Sequence, residues 1–354
     1  MTAAVATTEA TLEAARVAPR ARLRSDEIAR DAVRLVVMAP DAPPRLAAFA
    51  ALPQLLRAGD LVVVNDAATL PAALPGRTAD GAGFELRLSG PIDAGRLFGV
   101  LLGAGDHRTR TEHRAAPPTV RVGDRVTVAG IAASVAASAG RRVELVTHGE
   151  ADALWRAIYA GGAPVQYAHR PDRLALWSVQ TAYAARPWAA EMPSAGRPLT
   201  WDVMLGLRRA GVAIASLTHA AGLSSTGDDA LDRALPWPER YEIPRRTVDA
   251  IAHARARGGR VIAVGTTVVR ALEAAALHGE LRAGSGVASL RLDARYRPRV
   301  VAGLVSGLHV PGESHFDLLS AFAPVERLRA GIALAARAGL SSHELGDACL
   351  IMPA

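Results

Sequence analysis

Residues 258–273 read Gly-Gly-Arg-Val-Ile-Ala-Val-Gly-Thr-Thr-Val-Val-Arg-Ala-Leu-Glu. The four apolar residues at 261–264 end at Gly265, and the residues after it have the apolar spacing of a helix. A short unbroken apolar run is typical of a strand that is buried on both faces, in a parallel sheet covered by helices. The stretch therefore predicts an α/β domain with a parallel sheet at its centre.

The end of this predicted strand is also a candidate ligand site, because open α/β sheets bind ligands beyond the carboxyl ends of their strands. Gly265 would allow a ligand to approach the backbone, and Thr266 or Thr267 could cap the following helix. The first N–H groups of that helix have no partner within the helix and can bind an anion. On this segment alone, an ordinary strand–turn–helix is the favoured interpretation, and the ligand site is the alternative.

The pattern changes over residues 84–148, where short strands are separated by glycine turns, as in a small barrel or sandwich. We predict a disordered tail over 1–20, a mixed α/β domain formed by 21–83 and 149–354, and a barrel-like β-rich insertion over 84–148. In the α/β domain the pattern predicts strands at 30–39, 61–65, 212–217, 261–264, 300–305 and 347–352, and helices at 151–160, 200–210, 245–257, 267–278 and 315–338.

Composition limits the class of protein. The 354 residues carry a formal net charge of +7, and all the basic side chains apart from histidine are arginine. Such a charge favours polyanion partners without identifying one. No stretch approaches the roughly 18–20 apolar residues of a membrane span, and the N-terminus lacks the apolar core of a secretory signal. Cys349 is the single cysteine, so we predict neither a disulfide nor a multi-cysteine zinc site, and we expect a cytoplasmic protein without membrane contact.

Several further blocks accompany 259–273 in the chain. They are Gly-Asp-Leu-Val-Val-Val-Asn-Asp at 59–66, Leu-Pro-Ala at 70–72, Gln-Thr-Ala-Tyr at 180–183, Leu-His-Val-Pro at 308–311, Leu-Ser-Ala-Phe at 319–322 and Gly-Asp-Ala at 346–348. In this order and spacing they resemble the S-adenosylmethionine:tRNA ribosyltransferase-isomerases of queuosine biosynthesis. The resemblance extends over most of the chain and agrees with a two-domain α/β arrangement, in which the α/β domain would be catalytic.

The resemblance implies an unusual use of S-adenosylmethionine as a substrate. Its ribosyl moiety is transferred and isomerised onto the aminomethyl group of 7-aminomethyl-7-deazaguanine in tRNA, which forms epoxyqueuosine and releases adenine and methionine. This chemistry needs a base beside the sulfonium, an acid or hydrogen bond for the departing adenine, and a positioned amine. It requires no metal, and we predict no metal site. The oligomeric state is open, with a monomer favoured.

The family blocks and strand ends together supply candidate site residues. For proton transfer we favour His219, after the strand 212–217, and Glu239. A structural histidine and an Asx-turn at Asn65-Asp66 are the alternatives that remain open. The predicted S-adenosylmethionine-binding residues are Asn65, Asp66, Gln180, Thr181, Gly265, Thr266, Thr267, Arg270 and His309.

The chain also departs from the family pattern at polar positions. Ala68 and Ala73 replace arginines, whereas Pro198 and Trp237 replace histidines. A methyl group cannot form the paired hydrogen bonds that an arginine guanidinium makes with a phosphate or carboxylate. These changes therefore favour a second hypothesis, a paralogue that uses S-adenosylmethionine on a different, non-tRNA acceptor. A third hypothesis is a non-catalytic relative that binds S-adenosylmethionine or RNA. Glu191 is a new carboxylate that could take over acid–base work, unless it is a solvent-facing loop residue.

Overall fold

A computed structural model describes residue 30, residues 32–342 and residues 345–352. The predicted tail over 1–20 lies outside the described residues. The strands are β1 (Arg34–Met38), β2 (Arg45–Ala48), β3 (Leu61–Asn65), β4 (Ala67–Thr69), β5 (Ala73–Thr78), β6 (Gly83–Leu88), β7 (Arg96–Leu102), β8 (Arg125–Val128), β9 (Ile131–Ala139), β10 (Arg142–Thr147), β11 (Arg186–Ala189), β12 (Ala213–His219), β13 (Glu239–Ile243), β14 (Val261–Val264), β15 (Gly284–Ala288), β16 (Gly303–Gly307) and β17 (Ala348–Ile351).

Helices alternate with these strands mainly in the second half of the chain. The α-helices are Leu52–Leu55, Ala151–Gly161, Trp201–Arg209, Asp229–Asp232, Arg245–Ala256, Thr266–Ala275, Ser314–Leu319 and Val325–Arg337, with short 3₁₀ turns at Phe49–Ala51, Thr111–His113, Leu176–Val179 and Ser194–Gly196. None of the helices described is both long and apolar enough to span a bilayer.

In the described part of the chain, nine strands form one mixed sheet in the order β15-β13-β12-β3-β14-β16-β17-β1-β2. At its centre β12, β3, β14 and β16 run parallel to one another. The strands β13 and β15 on one side and β17 on the other add antiparallel pairs. The predicted strand 261–264 is therefore confirmed, with a parallel neighbour on each side.

The strand β14 is apolar at every position because helices cover both faces of the sheet. Val261 and Ala263 pack into one core together with residues of the helices Arg245–Ala256 and Thr266–Ala275. Ile262 and Val264 point to the other face and join a core with residues of the helices Leu52–Leu55 and Trp201–Arg209. Successive side chains of a strand alternate between faces, so all four must be apolar here.

A buried ion pair fixes the amino ends of the central strands. Asp60 is fully buried and accepts hydrogen bonds from Arg260 Nη2 at 2.6 Å and from the backbone N–H of Arg57 at 3.0 Å. Burial alone would raise the pKa of Asp60, but the hydrogen bonds from Arg260 and Arg57 hold this pKa below its usual value. Asp60 of the Gly-Asp pair at 59–60 therefore stabilises the sheet, at the end opposite the predicted site.

The insertion is a closed antiparallel barrel in the order β10-β7-β6-β5-β8-β9, around its own apolar core. This confirms the predicted fold class, a mixed α/β domain with an inserted small β-barrel. The first barrel strand, β5, precedes residue 84, so the segment 84–148 contains the strands from β7 to β10 and nearly all of β6. The exact division of the chain into domains stays a prediction.

The prediction of one helix over 315–338 is wrong. The segment forms two helices, Ser314–Leu319 and Val325–Arg337, and Pro324 occupies the N-cap position of the second. Proline has no N–H to donate and its ring clashes with the preceding turn, so it starts a helix but does not continue one. The sequence pattern also missed β2, β13 and β15, whose residues are partly exposed and lack a continuous apolar run.

Candidate active site

The carboxyl ends of four parallel strands meet at one edge of the sheet. The strand β3 ends at Asn65, β12 at His219 and β16 at Gly307, and β14 is followed at once by Gly265. Because β13 runs antiparallel to β12, its first residue, Glu239, begins at the same edge. Residues that are far apart in sequence are thereby brought together where ligands of such sheets bind.

A cavity of about 620 Å³ opens at this edge, within the range of small-molecule sites. The sheet edge, the 190–198 segment and the 221–225 segment contribute to its walls. Its lining includes Tyr167, Glu191, Ala195, Arg197, Pro198, Gly222, Ser224, Glu239, Gly265, Thr266, Thr267, Gly307 and His309. Five of the predicted site residues are among them, namely Glu239, Gly265, Thr266, Thr267 and His309.

The turn after β14 has the predicted strand–turn–helix form, but its cap differs from the prediction. Gly265 itself is the N-cap residue of the helix Thr266–Ala275, and no side chain caps this helix end. Neither Thr266 nor Thr267 therefore acts as the cap. Gly265 has φ of +94°, a conformation that L-residues with a Cβ rarely adopt, so glycine is required for the turn. Both threonines line the cavity instead.

Asn65 holds the edge together from behind the cavity lining. Its Nδ2 donates to the backbone carbonyl of His219 at 2.9 Å and to Thr267 Oγ1 at 3.3 Å. Its Oδ1 accepts from the backbone N–H groups of His219 at 2.9 Å and of Ala67 at 3.1 Å. The last of these is the Asx-turn that the sequence left open. Asn65 thus positions Thr267 and His219.

Asp66, Gln180 and Thr181 also lie behind the lining. Asp66 accepts hydrogen bonds from Thr218 Oγ1 at 2.6 Å and from Ser216 Oγ at 2.8 Å. Gln180 binds the backbone of Thr69 on both sides, with Oε1 accepting from its N–H at 2.9 Å and Nε2 donating to its carbonyl at 2.8 Å. The contacts of Asp66 and Gln180 are those of residues that support a wall of the site.

Glu239 is the centre of a buried charge cluster. Its two oxygens accept hydrogen bonds from the backbone N–H of Gly222 and from Arg270 Nη1. Arg270 also donates to the backbone carbonyls of Ala288 at 2.8 Å and Trp237 at 3.1 Å, which fixes the guanidinium behind the carboxylate. Burial raises the pKa of Glu239, an effect that Arg270 opposes. Arg270 therefore holds Glu239 and does not itself line the cavity.

His219 lies directly behind Glu239. Its Nε2 is 3.6 Å from Glu239 Oε2, and the residue is fully buried. Neither ring nitrogen has a hydrogen-bond partner among the described residues. Burial, reinforced by the positive charge of Arg270, lowers the pKa of His219 to about 3. The imidazole is therefore neutral at physiological pH, and Glu239 separates it from the cavity.

A second carboxylate, Glu191, faces the same cavity. It accepts hydrogen bonds from the backbone N–H and the Oγ of Ser224, both at 2.6 Å, and from the hydroxyl of Tyr167. Burial raises the pKa of Glu191, and the charge of Glu191 in turn raises the pKa of Glu239. Glu191 thus lies in the cavity wall, partly exposed, with both carboxylate oxygens hydrogen-bonded. Sequence reasoning gave no signal for Tyr167, because its contact with Glu191 crosses 24 residues of chain.

His309 lines the cavity from the end of β16. Its Nδ1 is 3.2 Å from Glu313 Oε2, and its ring stacks on His315 with the centroids 4.7 Å apart. Within the described part of the chain, no group of three or more histidine, cysteine, aspartate or glutamate side chains is arranged to hold a metal ion. The histidine pair is thus a stacked wall of the cavity.

Comparison with known proteins identifies the family of this chain. Residues 12–351 match the family described as queuosine biosynthesis protein. This chain belongs to that family. It is 36% identical over 332 residues to the S-adenosylmethionine:tRNA ribosyltransferase-isomerase of Anaeromyxobacter dehalogenans, a match that covers 91% of this chain and 93% of the relative. The protein of the same name from Thermus thermophilus is 33% identical over 335 residues, covering 91% of this chain and 93% of the relative.

A solved structure also shares this fold. The crystal structure of S-adenosylmethionine tRNA ribosyltransferase from Thermotoga maritima superimposes with a TM-score of 0.50 at 23% identity. The match covers 95% of this chain and all of the other. The predicted family resemblance is thus confirmed by sequence, and the fold by structure.

The positions at which this chain departs from the family pattern lie in different surroundings. Pro198 lines the cavity, whereas Trp237 packs against the barrel core and stacks under Arg142, whose guanidinium carbon is 4.7 Å from the ring centroid. Ala68 lies on β4 and Ala73 begins the barrel strand β5. Arg197, the neighbour of Pro198, is a cavity residue that the sequence reasoning missed.

Proposed function

We propose that this protein transfers and isomerises the ribosyl moiety of S-adenosylmethionine onto 7-aminomethyl-7-deazaguanine in tRNA, forming epoxyqueuosine and releasing adenine and methionine. The observation that carries the proposal is the agreement with relatives bearing this activity in their names, over 91% of the chain. A cavity with two carboxylates at the carboxyl edge of the sheet supports it. The paralogue and the non-catalytic relative receive no support from these comparisons.

We propose Glu239 as the proton-transfer residue that meets the substrate. It lines the cavity, and its pKa is raised towards the range in which a carboxylate exchanges protons efficiently. The Nε2 of His219 lies 3.6 Å from Glu239 Oε2, so His219 would influence the proton affinity of Glu239 without touching the substrate. Glu191 is the second carboxylate within reach, and pairs of carboxylates in different surroundings commonly divide the acid and base roles.

The remaining predicted residues would bind or frame S-adenosylmethionine. Gly265, Thr266, Thr267 and His309 would contact it, since they line the cavity. Asn65, Asp66, Gln180 and Arg270 would support the walls from behind through their hydrogen bonds with neighbouring strands and loops. Thr181 would support the same wall by packing beside Gly196. The amine of the modified tRNA base would enter through the open side of the cavity.

The test is turnover with tRNA that carries 7-aminomethyl-7-deazaguanine. Adenine release by chromatography and epoxyqueuosine by mass spectrometry of the digested tRNA should appear together. Glu239→Gln should slow both by about 10²–10⁴-fold while S-adenosylmethionine still binds. Asp249→Asn is the matched control, because Asp249 is exposed and pairs with Arg245 on its own helix. Adenine release without modification of the tRNA would instead identify a different acceptor.

We further propose that the protein acts in the cytoplasm, because its proposed substrates are tRNA and S-adenosylmethionine, and that it acts as a monomer. Light scattering of the purified protein tests the monomer, and fractionation of cells tests the compartment.

We also propose that 21–83 with 149–354 forms the catalytic domain and 84–148 the inserted domain. Limited proteolysis that cuts first near residues 84 and 148 would support this division.

A further inference from the structure

Arg197 is a buried arginine on the cavity wall with an unused donor. Only 3% of its surface is exposed, yet it is among the residues that line the cavity. Its Nε donates to the backbone carbonyl of Ser178 at 3.1 Å, which anchors the guanidinium. Its Nη1 has no hydrogen-bond partner anywhere in the described residues. A buried charged donor without a partner is costly, so it calls for an acceptor supplied from outside the chain.

The electrostatic surroundings of Arg197 are those of an anion site. Burial, together with the nearby cations Arg30 and Arg170, lowers the pKa of Arg197 to about 10. Arg270, by contrast, is paired with the carboxylate of Glu239, whereas Arg197 has no carboxylate partner among the described residues. An incoming anion would relieve both the repulsion and the missing hydrogen bond.

Two buried hydroxyls belong to the same neighbourhood. Ser178, whose carbonyl accepts from Arg197, has an Oγ without a partner in the described residues, and so does Thr181. The methyl carbon of Thr181 lies 3.3 Å from the position that a Cβ on Gly196 would occupy, so it packs beside the residue before Arg197. Two residues with unused hydroxyls therefore contact the segment that carries Arg197.

This group lies next to the Gly265 turn. A Cβ on Gly265 would be 3.7 Å from the Cβ of Ala195, two residues before Arg197. The segment that carries Arg197 thus packs against the turn where S-adenosylmethionine is proposed to bind, and Arg197 itself lines the same cavity. We infer that Arg197 is the binding residue for the carboxylate of the methionyl part of S-adenosylmethionine. This inference rests on the proposed function, since it assigns one contact of its substrate.

The test compares two ligands that differ in one group. Decarboxylated S-adenosylmethionine keeps the sulfonium, the adenosyl part and the amine, and lacks only the carboxylate. In calorimetry the unaltered protein should bind S-adenosylmethionine about 10- to 100-fold more tightly than the decarboxylated compound, as expected for a charge-assisted hydrogen bond. Arg197→Met should abolish this difference by weakening S-adenosylmethionine alone, and Arg197→Lys should retain part of it.

Arg291→Met is the control for a general loss of positive charge. Arg291 lies exposed at the cavity rim and donates to the backbone carbonyl of Leu235 at 2.7 Å. Its replacement should leave the ratio of the two affinities unchanged. Binding of the decarboxylated compound by Arg197→Met shows that this variant is folded. If it does not fold, the ratio in the unaltered protein decides, and equal affinities there would overturn the inference.

The other anion available to this protein is a tRNA phosphate, and a separate measurement distinguishes it. Arg197→Met should bind tRNA as the unaltered protein does. Weaker tRNA binding with an unchanged affinity for S-adenosylmethionine would overturn the inference and assign the guanidinium to a phosphate. If the unaltered protein binds no S-adenosylmethionine at all, the proposed function fails together with the inference. Binding with no dependence on Arg197 refutes the inference alone.

Discussion

The side-chain amide of Asn65 makes two 2.9 Å hydrogen bonds with the backbone of His219, one to its carbonyl and one from its N–H. The two residues end neighbouring parallel strands and are 154 positions apart in the sequence. The side chain of Asn65 thereby extends the hydrogen-bond ladder between β3 and β12 by one residue. The same amide reaches Thr267, so one side chain connects β3, β12 and the start of the helix Thr266–Ala275.

Replacement of this amide should destabilise the protein. Asn65→Ala deprives the buried N–H groups of His219 and Ala67 of the acceptor that Asn65 Oδ1 supplies, and each such group costs about 1–3 kcal/mol. We expect the free energy of unfolding in urea to fall by about 2–4 kcal/mol. Thr127→Ala, at an exposed position of the barrel strand β8, should change it by less than about 0.5 kcal/mol. A loss at position 65 no larger than that of the control would contradict the structural role.

Thr267 should contribute directly to S-adenosylmethionine binding. Thr267→Val keeps the shape of the side chain and removes the hydroxyl that lines the cavity and accepts from Asn65. We expect the dissociation constant, measured by calorimetry, to rise about 3- to 10-fold, as for the loss of one neutral hydrogen bond. Thr218→Val is the matched control, because the hydroxyl of Thr218 binds Asp66 and does not line the cavity. Equal losses in both variants would show that position 267 has no special part in binding.

The two cavity carboxylates should set the acid limb of the pH profile. Burial raises the pKa of Glu239, so its base form is lost, and adenine release slows, at a higher pH than for an ordinary glutamate. The charge of Glu191 adds to this rise. In Glu191→Gln the acid limb of kcat should therefore move to lower pH, whatever happens to the maximal rate. Asp249→Asn should leave the limb in place, and a limb that stays fixed in Glu191→Gln as well would refute the coupling.

His219 should lower the stability of the protein in mild acid. Its folded-state pKa of about 3 lies below the value of 6.5 expected for the unfolded chain. Between these values the unfolded state binds the extra proton, so the stability falls as the pH drops through this window. The contribution of one such group is about 1.4 kcal/mol per pH unit. The difference in unfolding free energy between the parent and His219→Gln, followed from pH 7 to pH 4.5, should shrink accordingly. A constant difference would mean that the imidazole does not stay neutral.

The sequence by itself determined the elements that depend on neighbouring residues. The run 261–264, its glycine turn and the helix after it could be read directly, because a strand covered on both faces must be apolar at each position. The barrel was visible in its short strands and turns. The helix boundary at Pro324 also depends on neighbouring residues. It was missed because the apolar residues on both sides of the proline have the spacing of one continuous helix.

Only the tertiary structure decided which polar residues act together. The sequence could nominate Glu239, Arg270 and His219 singly, but their ion pair and close approach arise from the strand order and from the helix after β14. The unused donor of Arg197 became evident only when its surroundings were known. The physical reason is that periodicity records which face of an element is buried. The partner of a buried charge is set by long-range packing, which one chain segment does not encode.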